Sequence, residues 1–372
     1  MTTATGTPTG LSAPVLAGTD HVELYVGNAR QAAYHYQRAF GFDVVAYSGP
    51  ETGVRDRASY VLAQGNVRLV LTAPLGPEGE IADHVRLHGD GVRAIALRVH
   101  DAGAAYRAAL SRGARGLREP TRVEDKRGVI TYATIATYGD TVHHFVERDE
   151  YGGVHWPGYR PESRPGGGVG VRYIDHTVGN VEVGKMGDWV SFYSEVFGFT
   201  VFQEFDARDI ATRYSALRSV VTRDPRTQIT FPINEPAVGL RKSQVQEYLE
   251  HYRGSGVQHI AMATDDILAT VGGMRERGVD FLSPPPDSYY EAVAQDRARG
   301  IDEDLDQLRQ LGILVDRDED GYLLQIFTRP VGDRPTLFFE VIQRKGCKGF
   351  GKGNFKALFE AIEREQAARG NL

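Results

Sequence analysis

The chain predicts an α+β protein of two tandem domains. Each consists of paired βαβββ units around an open, barrel-like sheet, and a further helix closes the C-terminus. Three observations carry this reading: an internal repeat, a Gly/Pro-dense segment between its copies, and a helical apolar pattern after the last strand-like run. The repeat shows in matching segments. Asp20-His21 is echoed by Asp175-His176, and Phe40-Gly41-Phe42 by Phe197-Gly198-Phe199. GDGVRAIAL from Gly89 matches GSGVQHIAM from Gly254, 165 residues on, and the same offset relates Arg112-Gly113 to Arg277-Gly278. VHHFVER from Val142 resembles FFEVIQR from Phe338.

Taken in order, residues 1–17 are rich in Thr, Gly and Ala and lack a basic stretch ahead of an apolar core, so they read as a flexible tail and not a leader. Residues 18–150 form the first domain, residues 151–170 a linker dense in Gly and Pro, and residues 171–372 the second domain. In each copy an amphipathic stretch ends at Gly41 or Gly198, the position expected just past a helix. YSALRS (Tyr214–Ser219) reads as a strand. FPINEP (Phe231–Pro236) reads as an irregular edge, because proline cannot donate to a ladder. KSQVQEYLEHY is helical, and GYLLQIF places Leu323, Gln325 and Phe327 on one face. After KGCKGFGKGNF (Lys345–Phe355), Phe355, Leu358, Phe359 and Ile362 recur at i, i+3, i+4 and i+7, a helix that could serve as a Gly-hinged lid.

A length of 372 residues suits two domains. The fractions of 41% apolar and 25% charged residues are those of an ordinary globular protein. A net charge of −6 gives no electrostatic footprint for nucleic acid, and no apolar run is long enough for a membrane span. The single Cys347 excludes an intramolecular disulfide and a thiolate metal site, which fits a reducing, cytoplasmic setting.

The chemistry concentrates in the second copy, where two histidines and a carboxylate lie in apolar strand-like runs: His176, His259 and Glu340. Alternation puts His259 beside Ala261, a small neighbour that leaves room for a ligand, and sends Gln258 to the opposite face. Glu340 shares a face with Phe338 and Ile342, where an ionised carboxylate is costly unless paired or bound to a cation. The first copy offers His21, Ala94 and His144 at the same places, and alanine donates nothing to a metal. The first domain is therefore expected to be structural and the second to hold an open-sided two-histidine, one-carboxylate site. Taken singly, such histidines are ordinarily hydrogen-bonded packing residues and such a glutamate a salt-bridge partner. His35, His84, His88, His100, His143, His155 and His251 lack comparable context and read as surface or packing residues. Imidazole and carboxylate leave Fe, Zn, Ni and Mn open.

The paired βαβββ order resembles the vicinal-oxygen-chelate, or glyoxalase-like, architecture. The segments IDHTVGNV, FPINEPA, KSQVQEYLE, GVQHIA, QIFTRPV, RPTLFFEVIQRKG and GFGKGNFKALFEAIEREQ resemble the 4-hydroxyphenylpyruvate dioxygenase family over nearly the whole chain after Gly18. The resemblance implies Fe(II) held by His176, His259 and Glu340. It implies an arylpyruvate that chelates the iron through its carboxylate and keto oxygens, with one position left for O₂. Loss of CO₂, ring hydroxylation and side-chain migration would then give homogentisate. It also places substrate contacts at Ser219, Pro232, Asn234, Gln244, Gln258, Gln325, Phe327, Phe338, Phe350, Asn354 and Phe355. Small molecules and a second copy of the chain are the expected partners, with neither nucleic acid nor membrane. Benzylic hydroxylation of the same substrate, as in 4-hydroxymandelate synthase, is the nearest alternative. A non-redox metal isomerase or a ligand-sequestering protein of the same fold is the alternative of another class.

Overall fold

The computed structural model describes residues 11–206, 215–295 and 300–371. The first half runs β1 (Gly18–Tyr25), α1 (Ala29–Phe40), β2 (Asp43–Ser48), β3 (Arg57–Gln64) and β4 (Val67–Pro74). It continues through α2 (Glu80–His88) to β5 (Gly91–Arg98), α3 (Ala102–Ser111), β6 (Gly116–Asp125), β7 (Gly128–Ala136) and β8 (Val142–Glu147). After β9 (Arg160–Arg164) the second half repeats the order with β10 (Val171–Asn180), α4 (Met186–Phe197), β11 (Thr200–Phe205), β12 (Ala216–Arg223) and β13 (Thr230–Ala237). Then follow α5 (Gln244–Tyr252), β14 (Gly256–Thr264), α6 (Ile267–Glu276), β15 (Leu314–Arg317), β16 (Tyr322–Phe327) and β17 (Phe338–Lys345). Two helices, α7 (Asp287–Gln295) and α8 (Leu305–Leu311), are inserted before β15, and α9 (Phe355–Ala368) follows β17.

Local chemistry sets these boundaries. The Asn28 side chain accepts from Gln31 N to open α1, and α1 and α4 stop at Gly41 and Gly198 in the left-handed conformation, as the repeat predicts. The strands form a nine-stranded sheet in the order β6-β7-β8-β5-β1-β4-β3-β2-β9 and an eight-stranded sheet in the order β11-β12-β13-β10-β14-β17-β16-β15. At the centre of each, the leading strands of the two βαβββ units pair antiparallel: β1 with β5 and β10 with β14.

Three expectations need correction. FPINEP is no edge: β13 lies between β12 and β10 and pairs with β12 along its whole length. The Asn234 carbonyl accepts from Val181 N, so residues of its parity present their backbone polar groups towards β10. Pro232 and Pro236 share that parity. Their missing N–H groups fall on the side where pairing is limited to Gly179↔Ile233 and Asn180↔Asn234, and the β12 ladder loses nothing.

The linker is not a loose connection either. Residues 160–164 form β9 on β2, and His155 and Trp156 pack on His21 at ring distances of 5.0 and 6.3 Å. In the tail, residues 1–10 lie outside the described residues, but Leu16 is buried in the core and Ala17 N donates to Arg98 O. Tyr214 also lies outside the described residues, and the strand it was expected to begin is described from Ala216.

The two halves share one apolar interior. Phe339 of β17 is fully buried against Tyr36 and Phe40 of α1, at ring distances of 5.6 and 5.2 Å. Reciprocally, His143 of β8 packs on Phe197 and Phe231 of the second half, each at 5.5 Å. Among the described residues no helix is long and apolar enough to cross a membrane. Because Phe339 fills the joint between the halves, Phe339→Ala should destabilise the protein by about 3–5 kcal/mol. Denaturant unfolding should keep a single transition; loss of less than about 1 kcal/mol would contradict a joint core.

Candidate active site

Three adjacent strands build the site. Register aligns His176 of β10 with Ala261 of β14 and Ala261 with Glu340 of β17, so the small alanine separates two functional side chains in one row across the sheet. His259 stands two residues before Ala261 and on the same face, as alternation predicts. Glu340 Oε2 lies 3.1 Å from His176 Nε2 and 3.3 Å from His259 Nε2, and the three side chains are buried. Facial ligands on an ion with ~2.1 Å bonds stand about 3 Å apart, so these donors fit one divalent metal and leave its cavity side open. The first copy has the corresponding row His21, Ala96, His144, with Ala94 where His259 would stand.

Each histidine is held by its other nitrogen. His176 Nδ1 lies 2.7 Å from Asp175 Oδ1, and Arg344 donates to both Asp175 oxygens at 2.8 Å. His259 Nδ1 donates to Gln258 Oε1 at 3.2 Å, and the Phe338 ring stacks on the imidazole at 4.8 Å. These contacts leave Nε2 of both rings aimed at Glu340. Burial alone would depress the pKa of His176, but Glu340 and Asp175 outweigh it and raise it to about 9 in the metal-free protein. Burial pushes His259 below the usual imidazole range, against the pull of Glu340. Burial also works to raise Glu340 and Asp175, yet the facing imidazoles and Arg344 hold both carboxyls below their ordinary values.

These donor atoms face a cavity lined also by Ser219, Pro232, Asn234, Gln325, Phe327 and Phe350, six of the residues expected there. Val178, Phe205, Val221, Ile342 and Leu358 complete its wall. Val178 and Val221 follow His176 and Ser219 by two residues, so strand alternation could have found them; Phe205 on the edge strand β11 carries no such signal. Among the described residues, no lysine or arginine lines this space. Gln244, Gln258 and Phe338 instead border a smaller adjoining pocket with Ile362, behind His259. Asn354 is buried with its Oδ1 accepting from Tyr289 Oη at 2.8 Å, away from the cavity, and the Phe355 side chain lies outside the described ones.

The Gly-rich segment and α9 roof the cavity. Phe350 sits edge-on to His176 at 5.1 Å, and Arg344 Nη1 donates to Gly349 O at 2.6 Å. Gly351 has φ +74, and a Cβ there would press on the Gln325 amide, so a side chain would both strain the backbone and displace a cavity residue. α9 is fastened by Ser215 Oγ to Glu363 at 2.6 Å and by Arg369 to Glu247 at 2.8 Å.

The Glyoxalase/Bleomycin resistance protein/Dioxygenase superfamily model matches residues 18–154 and 173–326, one segment in each half. A 4-hydroxyphenylpyruvate dioxygenase from Dictyostelium discoideum is 48% identical over 96% of this chain and 100% of its own length. One from Yarrowia lipolytica is 46% identical over 95% of this chain and 93% of its own length.

The chain belongs to the 4-hydroxyphenylpyruvate dioxygenase family.

A solved structure of a triple mutant of 4-hydroxymandelate synthase from Streptomyces coelicolor superposes with a TM-score of 0.84 at 34% identity, covering 94% of this chain and 99% of that one. Membership of the dioxygenase family and the two-copy fold therefore agree with the repeat, the strand order and the buried donor set.

Two outcomes follow for the metal-free protein. Because His176 is protonated below about pH 9 and must be neutral to ligate, divalent-metal affinity should rise about tenfold per pH unit up to that point and level off above it. Co²⁺ titrations across pH check this, and a flat profile between pH 6 and 8 would contradict it. Asp175→Asn, which removes the acceptor that orients His176, should weaken Co²⁺ binding by ~10–100-fold.

Proposed function

We propose that this chain is an Fe(II)-dependent dioxygenase that converts 4-hydroxyphenylpyruvate and O₂ to homogentisate and CO₂. The observation that carries the reading is the buried two-histidine, one-carboxylate set opening onto a cavity walled by Phe205, Phe327 and Phe350. His176, His259 and Glu340 would hold the metal, and a 2-oxo acid entering that cavity would find in it a counter-charge for its carboxylate. Bound ferrous iron supplies the O₂ activation that no side chain of the chain can provide.

The protein's own contribution is orientation and exclusion of water. Phe327 and Phe350 offer apolar faces to the ring, and Ser219, Asn234 and Gln325 offer the hydrogen-bonding groups for a phenol hydroxyl. The cavity is about 60 Å³, far below the ~300 Å³ at which small-molecule pockets begin. Substrate binding therefore requires the walls to give, and Phe350 and Leu358 bring the Gly-rich segment and α9 into that wall as a lid over the centre.

The deciding assay adds O₂ to the Fe(II)-loaded protein with 4-hydroxyphenylpyruvate and follows oxygen uptake and product. Homogentisate with equimolar CO₂ is expected. The structural kinship with 4-hydroxymandelate synthase makes 4-hydroxymandelate the result that would replace this reading by benzylic hydroxylation. Turnover without oxygen uptake would mean non-redox chemistry. His259→Ala and Glu340→Ala should each abolish oxygen consumption, whereas His21→Ala, in the half that has Ala94 in place of a second histidine, should keep it per folded molecule.

A further inference from the structure

The first half contains a second convergence of ligand side chains, far from the row just described. His84 and His88 lie one helical turn apart on α2, and Asp140 comes from the turn between β7 and β8; one ligand atom from each lies within 4.8 Å of the others. Both histidines are buried, and Asp140 is half-exposed at the mouth.

Their hydrogen bonding is incomplete in a specific way. His88 Nδ1 faces the Tyr252 carbonyl oxygen at 2.5 Å, which can only accept, so the ring donates there. Its Nε2 lies 2.9 Å from Asp140 Oδ2, a second acceptor, so a proton or another cation must sit between them. Neither nitrogen of His84 has a hydrogen-bond partner, although both are buried beside this pair. Burial, with His88 and Arg93 nearby, pushes His84 down to about 3, which leaves its imidazole neutral. The orphaned His84 imidazole, beside a ring nitrogen that faces a half-exposed carboxylate, is a donor set that a metal cation would satisfy, in a cavity where Glu80, Asp83 and Asp140 are interspersed with Arg86, Arg93 and Arg253. Arg93 does not occupy that role, since its guanidinium is engaged by the Asp140 carbonyl and the Glu80 carboxylate.

We propose that His84, His88 and Asp140 form a second metal site, taking a borderline divalent ion such as Zn²⁺ through two imidazoles and one carboxylate, with water completing the sphere. Glu80 and Asp83 at the cavity mouth supply the entry path. The Tyr252 carbonyl is the outer partner that fixes the His88 tautomer. Because Tyr252 ends α5, and its ring stacks on His88 at 4.3 Å, the ion would tie α2 and the β7–β8 turn of the first half to the second. That turn is already pressed against the second half, where a Cβ on Gly139 would run into the Ser255 carbonyl oxygen. The role is structural, and the site is independent of the iron reading.

The test uses the full-length chain carrying His259→Ala, so that the first metal centre is disabled, stripped of metal and titrated with Zn²⁺ against a chromophoric chelator. One equivalent is expected, with a rise in Tm on binding. Adding His84→Ala should abolish both. Adding Asp140→Asn, a substitution at a half-exposed position that should leave the circular dichroism unchanged, should weaken binding at least about tenfold. No Zn²⁺ uptake by the His259→Ala chain would overturn the proposal, as would uptake that Asp140→Asn leaves unaltered.

Discussion

Glu340 is the constraint around which the second half is arranged. Its carboxylate is buried on three sides by sheet, and an ion so placed costs several kcal/mol, on the order of a small domain's whole stability, unless opposite charge meets it. His259 meets it from the neighbouring strand β14 and His176 from β10 one strand further on, and each is turned to do so by its own support, Asp175–Arg344 for His176 and Gln258 with Phe338 for His259. In the absence of metal the protonated His176 faces the Glu340 carboxylate, and a divalent ion held by these side chains would supply that positive charge instead. The aromatic wall, the small Ala261 and the roof of α9 are all consequences of keeping that centre dry and leaving one side of it open.

Arg344 gives this arrangement a reach beyond the sheet. One guanidinium grips Asp175, which orients His176, and also the Gly349 carbonyl in the loop that carries Phe350 over the same histidine. Ligand orientation and roof position therefore depend on a single side chain. The first half keeps the parallel device, with Arg148 on Asp20 at 2.8 Å and Asp20 on His21 Nδ1 at 2.7 Å, although its ligand row ends in His144 and lacks a partner at Ala94. A buried Arg–Asp–His chain is evidently compatible with this fold without the ion it would orient.

The repeat made the architecture and the ligand row legible in the sequence, because duplicated registers put equivalent positions on equivalent strands, and the degenerate copy served as a contrast. Helix ends were legible through Gly41 and Gly198. What periodicity does not encode is which surface meets which: nothing in the run around Phe339 says that its ring packs on α1 of the other half, and nothing in YGGVHWPGYRPESR says that His155 and Trp156 fill the space beside His21. Arg344 was one arginine among many until Asp175 was seen beside it. The His84/His88 pair was present as a helical i, i+4 spacing, but its third member lies 52 residues beyond His88 and only folding brings it near.

The prolines of β13 have a consequence for the shape of the second sheet. In the first half the corresponding seam, β1 against β4, is stitched over four register positions from Val22 to Tyr25. In the second it holds at two, and the strand that carries His176 is otherwise released from its neighbour along that edge. The two prolines thus leave a dropped stitch in the backbone ladder at the seam where Val178, Pro232 and Asn234 line the cavity, so the wall there is held by side-chain packing more than by main-chain bonds.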